Sequence, residues 1–267
     1  MTIFKFELKG KLKGVLYWSL AFLAFNVFYF AFFPVIAKEA KLFEEVMSSF
    51  PPELLAAFGL GGLPMSSIEG YTALMFTFGA LLTGIYASNQ GFSLLTKEES
   101  EATADFLFTK PVSRCHIFTS KLAVAMITIT LTCLGYLLSM YISIVMFKGD
   151  AGVDVSALMF ALSNVFLVSL FFFSISLVIS TFIKKLKNIV SASLGLTFIF
   201  YTLNAFTSAI DSTKDSFEWN PFAAYDFVDL YTNQKFVFGS IVYLLVIAVG
   251  SLIFSYIRYS KRNISSL

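Results

Sequence analysis

Charged residues divide the chain into long apolar windows and short polar connections. Six windows of 22 to 29 residues contain no Asp, Glu, Lys, Arg or His. An α-helix needs about 20 apolar residues to cross the hydrocarbon core of a bilayer, so each window is long enough for one membrane span. The predicted spans cover about residues 15–37, 70–94, 122–147, 156–183, 189–210 and 236–257.

The residues before the first span carry an amphipathic pattern. Apolar side chains recur there at steps of four, four and three residues, and lysines flank them. This pattern predicts an interfacial helix over about residues 3–14. A basic flank that only fixes the orientation of the first span is an equally good interpretation, and the two are compatible. The apolar residues are Phe4, Leu8, Leu12 and Val15.

The connection between the first two spans, residues 38–69, is rich in apolar residues. Its charge-free stretch 54–68 has 15 residues with three glycines and one proline, which is too short and too broken to cross a membrane. A disordered tether would be more polar than this segment. We therefore expect an ordered, helical loop on the outer surface.

Composition and charge place the chain in a membrane with a defined orientation. It is 57% hydrophobic and only 13% charged, unlike a soluble domain. Fourteen of the 19 basic residues lie on the side that carries both termini, whereas 12 of the 17 acidic residues lie on the opposite side. Because Lys and Arg accumulate in the cytoplasm, we predict a multi-pass protein of the cytoplasmic membrane with both termini cytoplasmic.

Several kinds of chemistry are excluded by the residues that the windows lack. Ion-coupled carriers keep ionisable groups inside the membrane, and the six windows have none. Two cysteines, Cys115 and Cys133, and a single histidine, His116, are too few for a metal cluster. The chain also lacks a Gly-x4-Gly-Lys-Ser/Thr nucleotide motif. We expect no catalysis or cofactor in this chain and no nucleic-acid partner, so energy for transport would come from a partner ATPase.

The polar groups left within the windows are a few amides and scattered Ser and Thr. In membranes such side chains most often join helices by hydrogen bonds. That is the expected role of Asn26, Asn89, Gln90, Asn164 and Asn204.

The predicted inner loop, residues 97–121, has an ordered distribution of charge. Acidic residues open it and basic residues close it, which complements the dipole of a short helix. Phe106 and Leu107 give that helix an apolar face, and Lys110-Pro111 ends it. On the residues alone, a solvated loop is a slightly better interpretation than a docking helix.

The order of motifs in this loop resembles that of ABC type-2 exporter permeases. Weaker similarities are the Pro51-Pro52 segment and Asn220-Pro221-Phe222, while Ala102-Thr103 departs from the Gly-Thr common in the family. The resemblance implies a cytoplasmic coupling helix in this loop, which docks on an ATP-binding subunit. The motifs are Glu98-Glu99, Thr103-Ala104-Asp105-Phe106-Leu107, Lys110-Pro111-Val112-Ser113-Arg114 and Ser120-Lys121.

By this resemblance the chain is a single transmembrane domain, residues 1–267, of all-α fold with six spans, an interfacial helix and a coupling helix. Two copies of the ATPase subunit would bind ATP and Mg and move the permease between inward-open and outward states. The residues expected to couple them are Glu98, Glu99, Thr103, Phe106, Leu107, Pro111 and Arg114.

Exporters of this kind work as pairs of permeases, either two copies or two related chains. Small residues at steps of four allow helices to approach closely in lipid. Packing within one chain explains such residues equally well. The candidates for the interface are Ala80, Gly84, Ser88, Ser191 and Gly195.

The cargo is suggested by aromatic content and by the resemblance. Phe25, Asn26, Tyr29 and Asn204 are candidates for a substrate path that suits an amphipathic or lipid-like molecule, although phenylalanines more often face lipid. Small six-span permeases of this family resemble bacterial exporters of antimicrobial or toxic peptides, so a toxic peptide is the predicted cargo. A secondary carrier or channel that works without ATPase, and a membrane anchor or sensor that transports nothing, are the alternatives.

Overall fold

The computed structural model describes residues 2–51, 55, 63–100, 114–149, 152–183, 186–208, 210 and 219–261. For residues 2, 3, 97–100, 114 and 261 it describes the backbone alone. The described residues form α-helices joined by short connections and contain no strand. The all-α prediction is therefore confirmed.

Helices account for almost all of the described chain, and six stretches are long and apolar enough to cross a membrane. These stretches are Phe4–Lys38, Ile68–Thr96, Cys115–Phe147, Val155–Phe182, Ile189–Ser208 and Phe238–Ser260. They confirm the six spans expected from the charge-free windows. The helices are α1 (Thr2–Phe30), α2 (Phe33–Lys38), α3 (Ala40–Ser48), α4 (Ile68–Ser100), α5 (Arg114–Phe147), α6 (Val155–Leu162), α7 (Val165–Phe182), α8 (Ile189–Ser208), α9 (Pro221–Ala224), α10 (Phe227–Asn233) and α11 (Phe238–Lys261).

The first span is continuous with the segment before it and contains a turn near its end. α1 is unbroken from Thr2 to Phe30, so the expected interfacial segment 3–14 is continuous with the span. No proline interrupts that segment, and a helix can therefore continue through it. The helix is interrupted later, at a turn before α2, where Pro34 occupies the first turn and needs no backbone hydrogen bond.

The fourth span consists of two helices. α6 begins after Asp154, whose carboxylate accepts hydrogen bonds from the backbone N–H groups of Ser156 and Ala157 at 2.9 and 3.2 Å. α6 ends at Leu162, and α7 begins at Val165. The side chain of Asn164, in the break between them, donates a hydrogen bond of 3.2 Å to the carbonyl oxygen of Asp226. The break thus attaches this span to the segment before α10.

α4 lies at the centre of the bundle, because it packs along α7, α8 and α5, and 72% of its span window is buried. α1 packs mainly on α5, and α11 packs mainly on α7. Glycines permit the closest approaches. A methyl group added at Gly79 would overlap the ring of Tyr136 on α5, and one added at Gly91 would lie 2.6 Å from the carbonyl oxygen of Phe173 on α7.

Candidate functional site

The helices on either side of the predicted coupling loop both extend beyond their predicted spans. α4 continues to Ser100 and α5 begins at Arg114. Among the coupling residues, Thr103, Phe106, Leu107 and Pro111 lie outside the described residues. Glu98, Glu99 and Arg114 lie in the helical backbone of α4 and α5, and their side chains lie outside the description. The described part of the site consists of the ends of α4 and α5, which carry this loop.

These helix ends lie at one end of the bundle, which we call the basic end and define by Lys11, Lys121 and Arg258. Lys121 lies near the start of α5, yet it is only 8% exposed. Its ammonium group donates a hydrogen bond of 3.3 Å to the carbonyl oxygen of Leu94 on α4. A buried ammonium group requires such acceptors, so this contact fixes α5 against α4 just before the loop.

A second lysine attaches α1 to the same part of α4. The ammonium group of Lys11 donates a hydrogen bond of 2.7 Å to the side-chain oxygen of Gln90, which is buried. Gln90 lies one turn of helix before Leu94. α4 therefore accepts hydrogen bonds from lysines of two neighbouring helices within one turn at the basic end.

The last span completes the packing at the basic end. The rings of Tyr256 and Tyr259 on α11 both lie 5.7 Å from the ring of Phe118 on α5. Arg258 donates a hydrogen bond of 3.4 Å to the carbonyl oxygen of Thr181 on α7, and its guanidinium carbon lies 4.5 Å from the ring centre of Phe182. α11 thus joins α5 to α7 at the level of the loop.

Sequence reasoning missed the contacts of Lys11 and Lys121. Ser120-Lys121, near the start of a helix, is one of the motifs that resemble the exporter family. This motif was a sequence signal that Lys121 has a specific role. Nothing in the pattern around Lys11 predicts its hydrogen bond with Gln90, because that contact depends on how α1 is rotated against α4.

The candidate substrate-path residues contact two different neighbours. Asn26 is fully buried and donates a hydrogen bond of 2.7 Å to the hydroxyl of Ser139 on α5. Phe25 lies 4.6 Å from Tyr29 and 6.4 Å from Phe78 on α4, measured between ring centres. Asn26 therefore joins two helices, which is the commoner role of such amides, while Phe25 and Tyr29 lie together at the contact with α4.

Asn204, the fourth candidate for the substrate path, lies on α8. Its side-chain oxygen is buried and has no hydrogen-bond partner among the described residues. No hydrogen bond joins Asn204 to Asn26, because the side-chain oxygen of each has no partner among the described residues.

The small residues of α4 are used for packing within the chain. Ala80, Gly84 and Ser88 are all buried. A methyl group added at Gly84 would lie 2.8 Å from the ring of Phe172, and the hydroxyl of Ser88 lies 3.4 Å from that of Thr197 on α8. This face is covered by α7 and α8 of the same chain, which agrees with the alternative of packing within one chain. An interface with a second permease there stays a prediction.

The other two candidates for that interface lie on the surface of α8. Ser191 and Gly195 are exposed, and a methyl group added at Gly195 would meet nothing within 4 Å. α8 buries only 11% of its span window against the rest of the chain. This part of the interface stays a prediction.

The opposite end of the bundle, which we call the acidic end and define by Glu69, Asp154 and Asp226, contains a partly buried carboxylate. Burial raises the pKa of Asp226, although the hydrogen bond from the backbone N–H of Asp229 opposes the change. The described residues contain no group of three His, Cys, Asp or Glu side chains placed to hold a metal ion.

Comparison with known proteins agrees with this architecture. The model of a family described as "Multidrug efflux system permease Rv1217c, C-terminal domain" matches residues 4–259, which is nearly the whole chain. The chain has no match among the curated proteins. It is therefore a multi-pass membrane permease and belongs to the family of the multidrug efflux system permease Rv1217c, C-terminal domain.

Proposed function

We propose that this chain is the membrane subunit of an ATP-driven ABC type-2 exporter, which expels an amphipathic cargo across the cytoplasmic membrane. The observation that carries the proposal is the packing at the basic end. There α4 and α5, which enter the predicted coupling loop, are joined to each other by Lys121 and to α1 by Lys11. A force applied to the loop would therefore move several spans together.

The energy source follows from what the spans contain. Their charge-free windows have no Asp, Glu, Lys, Arg or His side chain to carry a coupling proton or pair with a sodium ion within the membrane. A transport permease without such groups needs another source of free energy, and a separate ATPase subunit that binds ATP and Mg supplies it. This subunit and the loop that receives it are part of the proposal.

In the proposed mechanism, two ATPase subunits close around ATP and displace the coupling loops docked on them. The apolar side chain of Phe106 would anchor the loop in a groove, as buried aromatic side chains do at many interfaces. Displacement of α4 and α5 would pass through Phe118, Tyr256 and Arg258 to α11 and α7. The spans would then change between two packed arrangements, which is alternating access.

The proposed assembly contains two permeases, which would contact each other through the exposed side of α8. Ser191 and Gly195 keep this face small enough for a close approach between helices. The matching family is described as one domain of a permease, which is compatible with a unit that works beside a second one.

Two classes of amphipathic cargo are supported by different observations. The small six-span form of the chain resembles exporters of toxic or antimicrobial peptides. The family description instead names multidrug efflux, which favours small apolar compounds. Both classes would enter from the membrane or its surface, where the exposed aromatic side chains of α1 lie.

The test is purification of the tagged chain from its native membranes, with mass spectrometry of bound proteins and an assay of ATP hydrolysis. Wild type and Phe106→Leu should retain a stoichiometric ATP-binding subunit, whereas Phe106→Asp should lose it while still inserting in the membrane. Phe106→Leu is the matched control because it keeps an apolar anchor.

Three other results would contradict the proposal and separate the alternatives. If the chain purifies alone and transports cargo in liposomes without ATP, it is a carrier or channel. If an ATPase is bound but its activity never responds to any peptide or drug, the chain is an anchor or sensor. If Phe106→Asp keeps a bound and active ATPase, the loop is not the coupling site.

A further inference from the structure

The short helix α3, which follows the first span at the acidic end, has an apolar side that is only partly used by the chain. Its charged and hydroxyl residues occupy one half of the helix, and its large apolar residues occupy the other. None of its side chains is buried. The polar half contains Lys41, Glu44, Glu45 and Ser48; the apolar half contains Leu42, Phe43, Val46 and Met47 and continues to Phe50.

One part of this apolar half packs on the chain itself. Phe43 and Met47 line a cleft with the segment Leu63, Pro64 and Met65, which leads into α4. At the edge of the cleft the hydroxyl of Ser66 donates a hydrogen bond of 2.8 Å to the carboxylate of Glu44. These contacts fix how α3 is rotated.

The rest of the apolar half is exposed. Leu42 is 59% exposed, Val46 is 47% exposed and Phe50 is 42% exposed. The three residues are spaced four apart, so they form one row along the helix. A row of large apolar side chains in contact with water is unfavourable, at about 25 cal/mol for each Å² of apolar surface.

This row follows shortly after the first span, which also exposes large apolar side chains near its end. They are Phe28, Phe32 and Val35, on a stretch that is long and apolar enough to cross a membrane. α2 ends at Lys38 and α3 begins at Ala40, so the exposed row of α3 begins where the span leaves the hydrocarbon core. The nearest medium for the row is therefore the boundary between acyl chains and headgroups.

We propose that α3 lies in the membrane surface at the acidic end, with Leu42, Val46 and Phe50 inserted among the lipids. Amphipathic helices bind membranes in this way, with the apolar face about 5–10 Å deep in the boundary region. Charge has a small role in this binding, because the segment carries basic and acidic residues in similar numbers: Lys38 and Lys41 against Glu39, Glu44 and Glu45. The occupant of the row is the lipid bilayer itself.

Such an attachment fixes the position of the connection between the first two spans. α3 is held to the start of α4 by the cleft at Met47 and by the bond between Ser66 and Glu44. Gly70 on α4 allows Pro64 and Leu63 to approach its backbone, where a methyl group would overlap the carbonyl of Pro64. The lipid-bound helix therefore holds the outer turns of α4 at a constant depth.

The experiment places single spin labels on the full chain in liposomes of phosphatidylcholine. In a Cys115→Ser, Cys133→Ala background, Val46→Cys reports the exposed apolar row and Glu45→Cys reports the polar half of the same helix. The ratio of accessibility to oxygen over accessibility to a water-soluble nickel complex should be several-fold higher at residue 46 than at residue 45. Replacing part of the lipid with phosphatidylglycerol should change this ratio little.

Two outcomes would overturn the proposal. If a label at residue 46 is as accessible to the nickel complex as a label at residue 45, the helix lies in water. A label shielded from both reagents shows that protein, whether a second copy or another subunit, covers the row. Leu42→Cys, in the same row, gives an independent reading if Val46→Cys does not yield folded protein.

Discussion

At the scale of single residues, most Ser and Thr hydroxyls bond to a carbonyl group of their own helix, and a smaller set of polar side chains connects two helices. Asn26 bonds to Ser139, and Ser88 lies within 3.4 Å of Thr197, so each amide or hydroxyl joins two spans. Such bonds in membranes contribute about 0.6 kcal/mol on average. They set the relative rotation of the helices more than they determine the total stability.

The same scale gives a prediction for the carboxylate of Asp226. Because its pKa is raised in the folded state, the fold favours the protonated acid, and the free energy of unfolding falls as pH rises through that pKa. Asp226→Asn keeps an oxygen to cap α10 but does not ionise. It should flatten this pH dependence and raise stability at pH 8 by up to about 1 kcal/mol.

Thermal unfolding of the protein in detergent over a series of pH values checks this prediction. Glu45→Gln is the control, since Glu45 is an exposed carboxylate on a different helix, α3. Parallel pH profiles for wild type and Asp226→Asn would show that burial of this carboxylate has no energetic effect.

At the scale of helices, glycines decide how closely α4 approaches α7. Gly91→Ala would place a methyl group against the hydroxyl of Ser176 and 2.6 Å from the carbonyl oxygen of Phe173, so the two helices must separate. We expect a loss of about 1–3 kcal/mol, as for other overpacked sites. Gly195→Ala on α8 meets open space and should be neutral or slightly stabilising. Thermal midpoints in detergent, compared between the two variants, test this difference; equal midpoints would refute it.

Lys121 gives a prediction about how α4 and α5 move together. Lys121→Met keeps the length and much of the volume of the side chain but removes the hydrogen bond to the carbonyl oxygen of Leu94. If the two helices transmit motion from the loop, the variant should retain a bound ATPase yet lose at least half of the cargo-dependent stimulation of ATP hydrolysis. Lys13→Met, an exposed lysine at the same end, is the control and should behave as wild type. Full stimulation in Lys121→Met would exclude this contact from coupling.

Helix-scale features differ in how far the sequence predicts them. The absence of charge over more than 20 residues is a direct requirement of the bilayer, so the six spans were predictable. The hydrogen bonds that Gln90 and Leu94 accept were not predictable. The spans are apolar on most sides, so their pattern does not show which side contacts a neighbouring helix. The sequence also did not predict the break between α6 and α7 at Asn164, since no glycine or proline marks it.

At the scale of the whole molecule, the two ends of the bundle differ in charge. By the predicted topology, 14 of the 19 basic residues belong to the side with both termini, and 12 of the 17 acidic residues belong to the other. This asymmetry predicts the orientation in the membrane but not the cargo, because cargo recognition depends on a few side chains whose neighbours are set only by packing. Asn204, with a buried and unpartnered oxygen, is one example among the described residues.

The orientation is itself testable with the two native cysteines. Cys115 is exposed at the start of α5, and Cys133 is buried within the bundle. With the basic end in the cytoplasm, a membrane-impermeant maleimide should leave Cys115 unlabelled in intact cells and label it in inverted vesicles, while Cys133 stays unlabelled in both. Glu45→Cys in a Cys115→Ser background should show the reverse result, because Glu45 is exposed at the acidic end. Labelling of Cys115 from outside intact cells would invert the topology and place the predicted coupling loop beyond the reach of any cytoplasmic ATPase.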